Sequence, residues 1–236
     1  MPLPTRQPRR RSALLGILAL ATALAYEPTK AQETGSADAC ERFAHVALPA
    51  TKITEARVVA PGTFSGPPAP FTGRDMSPLY RSLPAFCRVS ATATPTSDSE
   101  IKIEVWMPVS GWSGKLQGLG NGGFAGLIDY PNLGVAMGKG YAAAATDTGH
   151  TGNSASFALG HPEKLIDYAY RSEHAMAVAA KAVVGTFYGK MPSRSYFNGC
   201  STGGRQALVE ASRYPDDFDA PLPDAVLSQF GVRRAK

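Results

Sequence analysis

The sequence has 236 residues, of which 44% are hydrophobic and 18% are charged, and its formal net charge is +5. Residues 1–31 hold five basic residues and one acid, so their removal would lower the net charge to +1. The high isoelectric point therefore gives no real support to nucleic-acid binding. The remaining chain is long enough to bury a sizeable core as one domain, or as most of one.

The N-terminus has the pattern of an export signal. Four arginines within residues 6–11 precede the apolar run Ala13–Ala25, and small residues allow cleavage near residue 25 or residue 31. A run this short favours a removed signal over a membrane anchor. We predict a signal peptide over residues 1–31 and a secreted or periplasmic domain over 32–236. General secretory and twin-arginine export both remain open.

Hydrophobic patterning predicts short strands followed by one long crossover helix. The predicted strands are Val58–Ala60, Phe86–Ser90, Ile101–Met107, Lys115–Gly118 and Tyr141–Asp147, and the helix is Glu163–Tyr188. The alternation in Ile101–Met107 indicates a half-buried strand, whereas the apolar run after Tyr141 indicates a buried parallel strand. Residues 67–70, which are rich in proline, are predicted to form a loop.

A nucleophile elbow is predicted at Gly199–Gly203, which reads Gly-Cys-Ser-Thr-Gly. Strand-forming Tyr196 and Phe197 precede it, and the helix-forming run Gln206–Ser212 follows it. The serine at the turn, Ser201, needs a strained backbone, and side chains at the flanking glycines would collide with neighbouring backbone. The alternative is an ordinary Gly-Ser surface turn.

The glycine-rich loop Gly120–Gly126 lies where an α/β-hydrolase places part of its oxyanion hole. Gly122 and Gly123 are the candidate donors, together with the backbone N–H of Thr202. A flexible surface turn and a phosphate-binding loop are the alternatives. The loop lacks the Gly-Lys-Ser/Thr ending of a P-loop, and a dehydrogenase is disfavoured because there is no clean dinucleotide fingerprint.

Polar residues after the predicted strand at 141–147 have two interpretations each. Asp147 and His150 follow the strand and could border the ligand crevice, but Asp147 could equally cap a turn. His161 precedes Pro162 at the start of the long helix and is predicted to be structural. His174 lies within that helix, where a packed or solvated histidine is the simpler interpretation.

The segment around Ser201 resembles the tannase and feruloyl esterase family of secreted serine esterases. The resemblance is carried by Asn198–Ala207, Arg213–Asp219, Gly120–Gly126, Thr146–His150 and Ala158–Asp167. It extends from about Cys40 to Asp219 and is expected to stop there.

This resemblance implies the N-terminal portion of an α/β-hydrolase fold. It implies hydrolysis of aromatic-acid esters, such as feruloyl, galloyl or terephthaloyl esters, through an acyl-enzyme on Ser201. It also implies a disulfide between Cys40 and Cys87, and a partner for Cys200 beside the catalytic histidine, which this sequence lacks. No cofactor or metal is expected in this chain, since the structural calcium of the family lies in its lid.

The triad acid and histidine should follow the serine in an α/β-hydrolase. All four histidines precede Ser201, and the tail 220–236 is basic and carries Pro221 and Pro223 where a buried strand is expected. We therefore predict that the reading frame is lost, or the chain truncated, near Asp219. Two alternatives follow: a catalytically inactive secreted fragment that binds a phenolic ligand, and a gene remnant that misfolds because of its open sheet edge.

Overall fold

The computed structural model describes residues 37–124 and 126–221, so the predicted signal peptide and the tail beyond Pro221 lie outside the described residues. The strands are β1 (Thr51–Val59), β2 (Phe86–Ala93), β3 (Ile101–Pro108), β4 (Lys115–Leu119), β5 (Ala142–Thr146), β6 (Arg194–Asn198) and β7 (Ala220–Pro221). The α-helices are α1 (Ala37–Glu41), α2 (Ser77–Arg81), α3 (Tyr130–Gly138), α4 (Pro162–Ile166), α5 (Ser172–Tyr188) and α6 (Thr202–Arg213).

The seven strands form one mixed sheet in the order β1-β2-β3-β5-β4-β6-β7. The first four in this order pair antiparallel, and β5, β4, β6 and β7 run parallel. Parallel strands need crossover connections, which α3 supplies between β4 and β5, and α4 and α5 between β5 and β6. The carboxyl ends of β4, β5 and β6 consequently meet at one edge of the sheet, where α/β folds place their ligands.

Hydrophobic cores fill both faces of the sheet. One core joins alternate strand residues to α1, α5 and α6, and the other joins the remaining strand residues to α2 and α3. The predicted parallel strand at Tyr141–Asp147 is confirmed as β5, and all five of its residues are buried. Its run of four alanines presents two methyl groups to each face, so helices pack closely on both sides.

The prediction that Ile101–Met107 is half-buried is wrong, because every residue of β3 except Lys102 is buried. Glu104 is 2% exposed, and its carboxylate accepts hydrogen bonds from Arg88 and from Trp106 Nε1. A polar residue in this strand therefore does not mark a solvent face. It is buried as part of an ion pair, and burying a carboxylate is costly unless it is paired in this way.

The predicted long helix is present, but it is not a regular α-helix throughout. It begins at Pro162, one residue earlier than predicted, and a π-helical turn at Asp167–Arg171 separates α4 from α5. Such turns widen the helix and leave carbonyl groups without their usual partners. Arg205 of α6 donates to two of these carbonyls, on Tyr168 (3.0 Å) and Ala169 (2.7 Å).

The start of the tail departs from expectation. Pro221 was predicted to interrupt the sheet, yet residues 220–221 pair in parallel with Tyr196 and Phe197 of β6. Asp219 prepares this pairing, because its N–H donates to Ser195 O at 2.8 Å and its carboxylate accepts the Ser195 N–H at 2.7 Å. A proline loses only its own donor, so it is tolerated at this two-residue strand.

The disulfide implied by the sequence resemblance is present. Cys40 of α1 and Cys87 of β2 are bonded and completely buried. The bond ties the first described helix to the second strand and encloses β1 and α2 in a covalent loop. A cross-link of this kind stabilises a domain chiefly by restricting its unfolded chain.

Candidate active site

Ser201 occupies a sharp turn between β6 and α6. Its backbone angles are φ 57° and ψ −116°, and its side chain is exposed. A positive φ is uncommon for a residue with a Cβ atom, and it persists only where the surrounding structure enforces it. The predicted strand-turn-helix geometry around this serine is therefore present, with the hydroxyl at the carboxyl end of β6.

Glycines on both sides of Ser201 allow backbone segments to touch. A Cβ atom on Gly199 would lie 2.5 Å from the carbonyl carbon of Gly203, as the sequence predicts. A Cβ atom on Gly120 would lie 2.6 Å from Gly203 Cα. The loop after β4 is thus in direct contact with the first turn of α6, and the Gly203 N–H donates to Asn121 O at 2.7 Å.

A buried hydrogen-bond network holds this loop on α6. Gln206 Oε1 accepts the backbone N–H of Asn121 at 2.9 Å, and Gln206 Nε2 donates to Asn121 Oδ1 at 3.2 Å and to Glu173. Asn121 Nδ2 donates to Leu127 O at 3.0 Å and to Thr146 O at 2.9 Å. The peptide that carries the Gly122 N–H is therefore fixed from several directions.

Gln206, Asn121 and Glu173 were not identified from the sequence. A usable signal existed, because Gln206 and Glu210 lie beside Gly203 and Ala207 on the buried side of α6. A polar side chain in such a position must find a buried partner. Burial also raises the pKa of Glu173 to about 7, even though Ser172 and Gln206 donate to its carboxylate.

The three candidate oxyanion donors lie close together in the structure. Thr202 is the first residue of α6, so its N–H has no acceptor within the helix. Its hydroxyl donates to Gly123 O at 3.0 Å. Gly123 has φ +56°, a conformation that glycine adopts without strain, and Gly122 precedes it in the same loop.

Asp147 caps the turn after β5. Its Oδ1 accepts the N–H groups of Lys102 and Gly149, both at 2.9 Å, and burial raises its pKa to about 6. Of the two interpretations left open by the sequence, the structure shows the capping contacts. A carboxylate so engaged orients the loop that leads to His150.

His150 packs against the glycine-rich loop. Its Nε2 lies 2.7 Å from Phe124 O, and its Nδ1 lies 3.1 Å from Thr148 Oγ1. A carbonyl only accepts, so Nε2 carries a proton in this contact. His150 therefore borders the loop as a donor, and its ring stacks on Phe157 at 3.8 Å.

The other two histidines whose side chains are described are paired elsewhere. His161 Nδ1 lies 2.8 Å from Asp98, and His174 Nδ1 lies 2.6 Å from Asp217. Within residues 37–124 and 126–221, Ser201 Oγ has no hydrogen-bond partner. The described part of the chain thus presents the serine without a general base.

A cavity of about 320 Å³ lies beside the elbow. Its lining comprises Phe71, Leu119, Gly120, Asn121, Gly122, Asp129, Asn132, Asn198, Gly199 and Cys200. Cavities of about this size accommodate small organic ligands. The Cys200 thiol is exposed and forms no disulfide.

No three His, Cys, Asp or Glu side chains among the described residues lie close enough together to hold a metal ion. Over the same residues, no helix combines the length and apolar character needed to cross a membrane.

A family model described as tannase and feruloyl esterase matches residues 87–235. The match continues past Asp219 almost to the end of the sequence, so the expectation that the resemblance stops at Asp219 is wrong. An uncharacterised esterase of Xanthomonas campestris pv. campestris is 41% identical over 200 residues, which is 84% of this chain and 33% of that protein. A probable feruloyl esterase B-2 of Neosartorya fischeri is 33% identical over 220 residues, covering 92% of this chain and 40% of that protein.

Solved structures give the same result for the fold. The crystal structure of feruloyl esterase B from Aspergillus oryzae matches with a TM-score of 0.68 and 34% identity, covering 78% of this chain and 36% of that one. A tannin acyl hydrolase from Aspergillus niger matches with a TM-score of 0.60 at 24% identity. The chain thus has an α/β-hydrolase fold, and it spans about a third of the length of the first curated relatives it matches.

Proposed function

We propose, because this chain belongs to the tannase and feruloyl esterase family, that the protein hydrolyses carboxylic esters of aromatic acids through an acyl-enzyme on Ser201. The observation that carries the proposal is the strained backbone of Ser201, at φ 57°, in contact with a glycine-rich loop. Such a turn, between a strand and a helix, exposes a nucleophile beside backbone donors.

In the proposed reaction, Ser201 Oγ attacks the ester carbonyl carbon and its proton passes to a general base, which is not among the described residues. The base gives this proton to the alcohol oxygen as the C–O bond breaks, and water then attacks the acyl-enzyme, which releases the acid and restores the Ser201 hydroxyl. The N–H of Thr202, with the N–H groups of Gly122 and Gly123, would stabilise the tetrahedral oxyanion. No metal enters any of these steps.

The substrate class rests on the relatives. The family model is described as tannase and feruloyl esterase, and two relatives are named as feruloyl esterases. We therefore assign feruloyl and galloyl esters as the class, with the aromatic acid on the acyl side. Secretion or periplasmic export fits the buried disulfide, since such bonds persist in oxidising compartments. We propose a structural calcium only for the lid that the family resemblance implies.

A second candidate is a catalytically silent secreted protein that binds a phenolic acid in the cavity beside the elbow. It is favoured by one observation: the described histidines at 150, 161 and 174 are all engaged with other groups. In that case Ser201 is an exposed hydroxyl without activation, and turnover is absent.

Incubation of the purified protein with methyl ferulate and methyl gallate, followed by chromatography of the free acids, tests the proposal. We expect hydrolysis that is lost in Ser201→Ala and retained in Ser212→Ala, because Ser212 lies at the other end of α6 and donates only to Val209 O. An aryl phosphonate should also modify Ser201. Binding of ferulate without either reaction would establish the silent protein instead.

A further inference from the structure

Two hydroxyl groups converge on a single carbonyl of the glycine-rich loop. Tyr168 Oη donates to Gly123 O at 2.8 Å, and Thr202 Oγ1 donates to the same oxygen at 3.0 Å. His150 Nε2 lies 2.7 Å from the next carbonyl, on Phe124. Three side chains from three separate elements thus hold two consecutive carbonyls of one loop.

These contacts also fix N–H directions, because the C=O and N–H of a planar trans peptide point in opposite directions. The Gly203 N–H holds Asn121 O, and so sets the direction of the Gly122 N–H. Tyr168 and Thr202 hold the carbonyl of Gly123. The Gly122–Gly123 peptide therefore lies between two peptide groups whose carbonyls are held by hydrogen bonds, one before Gly122 and one after Gly123.

Tyr168 reaches the loop because it lies in the π-helical turn between α4 and α5. Arg205 of α6 donates to the Tyr168 carbonyl at 3.0 Å, and its guanidinium lies 4.9 Å from the centre of the Tyr168 ring. Arg205 follows the nucleophile by one helical turn. Arg205 thereby links the helix that follows the nucleophile to Tyr168 in the π-helical turn.

We infer that Tyr168 is a positioning residue for the oxyanion loop. Its hydroxyl, with that of Thr202, holds the Gly123 carbonyl and so fixes the peptide plane that follows Gly123. This contact keeps the Gly123 N–H in the orientation needed to receive an oxyanion, while the Gly203 contact holds the Gly122 N–H. This role rests on the proposed function, and it concerns the tetrahedral state specifically, because the loop N–H groups bind the oxygen that gains charge during the reaction.

An aromatic boronic acid is the probe, because it forms the tetrahedral state without turnover. Ser201 Oγ forms a bond to boron, the hydroxyl proton passes to water, and one boron hydroxyl occupies the oxyanion position. The affinity of the protein for phenylboronic acid would be measured by calorimetry, and compared with its affinity for ferulate, which remains planar.

Tyr168→Phe is expected to weaken phenylboronic acid binding by about threefold to tenfold, the worth of one hydrogen bond, and to leave ferulate binding unchanged. Tyr170→Phe is the matched control, because Tyr170 lies in the same turn and its ring packs under Arg213. It should bind both ligands like the original protein.

Thr202→Val supplies a second variant that keeps the backbone N–H and the side-chain shape. It should weaken boronate binding by a similar factor. The affinity loss of the double variant should be smaller than the product of the two single losses, because both hydroxyls donate to one oxygen. Equal affinity in Tyr168→Phe and the original protein would overturn the inference. A parallel loss for ferulate would do the same, since it indicates a merely structural role.

A different result would reject the proposed function itself. If Ser201→Ala binds phenylboronic acid as tightly as the original protein, Ser201 is not the nucleophile and the proposed function fails. If boronate binding requires Ser201 but not the Tyr168 hydroxyl, the function stands and only the positioning role is lost. Circular dichroism of each variant establishes that the fold is intact.

Discussion

Ser201 and His174 lie in different regions of the molecule and have opposite surroundings. Ser201 has strained backbone, glycine-to-glycine contacts and a fixed loop, but no described base. His174 has an aspartate at 2.6 Å and a stacked ring, Tyr214, at 4.0 Å, but no hydrogen bond to a serine among the described residues. A second His–Asp pair is formed by His161 and Asp98, so such a pair does not by itself mark an active site. Close backbone packing around an exposed serine is the more specific feature.

The largest effect should come from breaking the backbone packing at the elbow. Gly199→Ala places a Cβ atom 2.5 Å from the Gly203 carbonyl carbon, and we expect it to destabilise the protein by about 3 kcal/mol. Gly138→Ala is the control, because its Cβ atom meets nothing within 4 Å and the residue is helical, so a small stabilisation is expected. Urea unfolding would measure both. A Gly199→Ala variant as stable as the control would show that the packing is not required.

The second effect concerns a buried acid next to the His174–Asp217 pair. Glu210 is 2% exposed, and neither carboxylate oxygen has a hydrogen-bond partner among the described residues. Burial, with the charges of Asp217 and Glu173, raises the pKa of Glu210 from 4.5 to about 9. Because the folded pKa exceeds the unfolded one, the stability this group contributes is full below pH 4.5 and is lost as the pH rises towards 9.

Glu210→Gln should therefore make the protein more stable by about 2 kcal/mol at pH about 8, and by little at pH about 5. Urea unfolding at the two pH values measures the difference. Glu173 is present in both proteins, so the difference between them reports Glu210 together with its charge interaction with Glu173. An equal change at both pH values would mean that Glu210 is ionised throughout.

The smallest effect should come from His174 itself. Its side chain is 38% exposed, so His174→Gln is expected to lower the free energy of unfolding by less than about 1 kcal/mol. Boronate binding at Ser201 should remain unchanged, because no contact joins the pair to the elbow among the described residues. A large loss of boronate affinity would instead make His174 part of the site.

Local patterns predicted the parts of the fold that depend on local sequence. Apolar runs and glycine spacing involve residues that are close together in the sequence. They therefore predicted the strands at 115–118 and 141–147 and the turn at Ser201. The Gln206–Asn121 bond joins residues 85 positions apart, and the Tyr168–Gly123 bond joins residues 45 positions apart. Such contacts arise from how α6 packs on the loop and on the π-turn, which no local pattern contains.

The burial of β3 was mispredicted for a related reason. Its alternation of apolar and polar residues is typical of a strand with one wet face, but Glu104 is neutralised by Arg88 from the neighbouring strand. The two residues are 16 positions apart and become partners only through strand pairing.

The disulfide between Cys40 and Cys87 has a consequence for proteolysis. Arg74 is exposed in the loop before α2, where trypsin can reach it, and it lies inside the covalent loop that the bond closes. A single cut after Arg74 releases no fragment, because the piece carrying β1 stays tethered to the piece carrying β2. The severed molecule would therefore migrate as one species until it is reduced, and β1 would keep its place at the edge of the sheet.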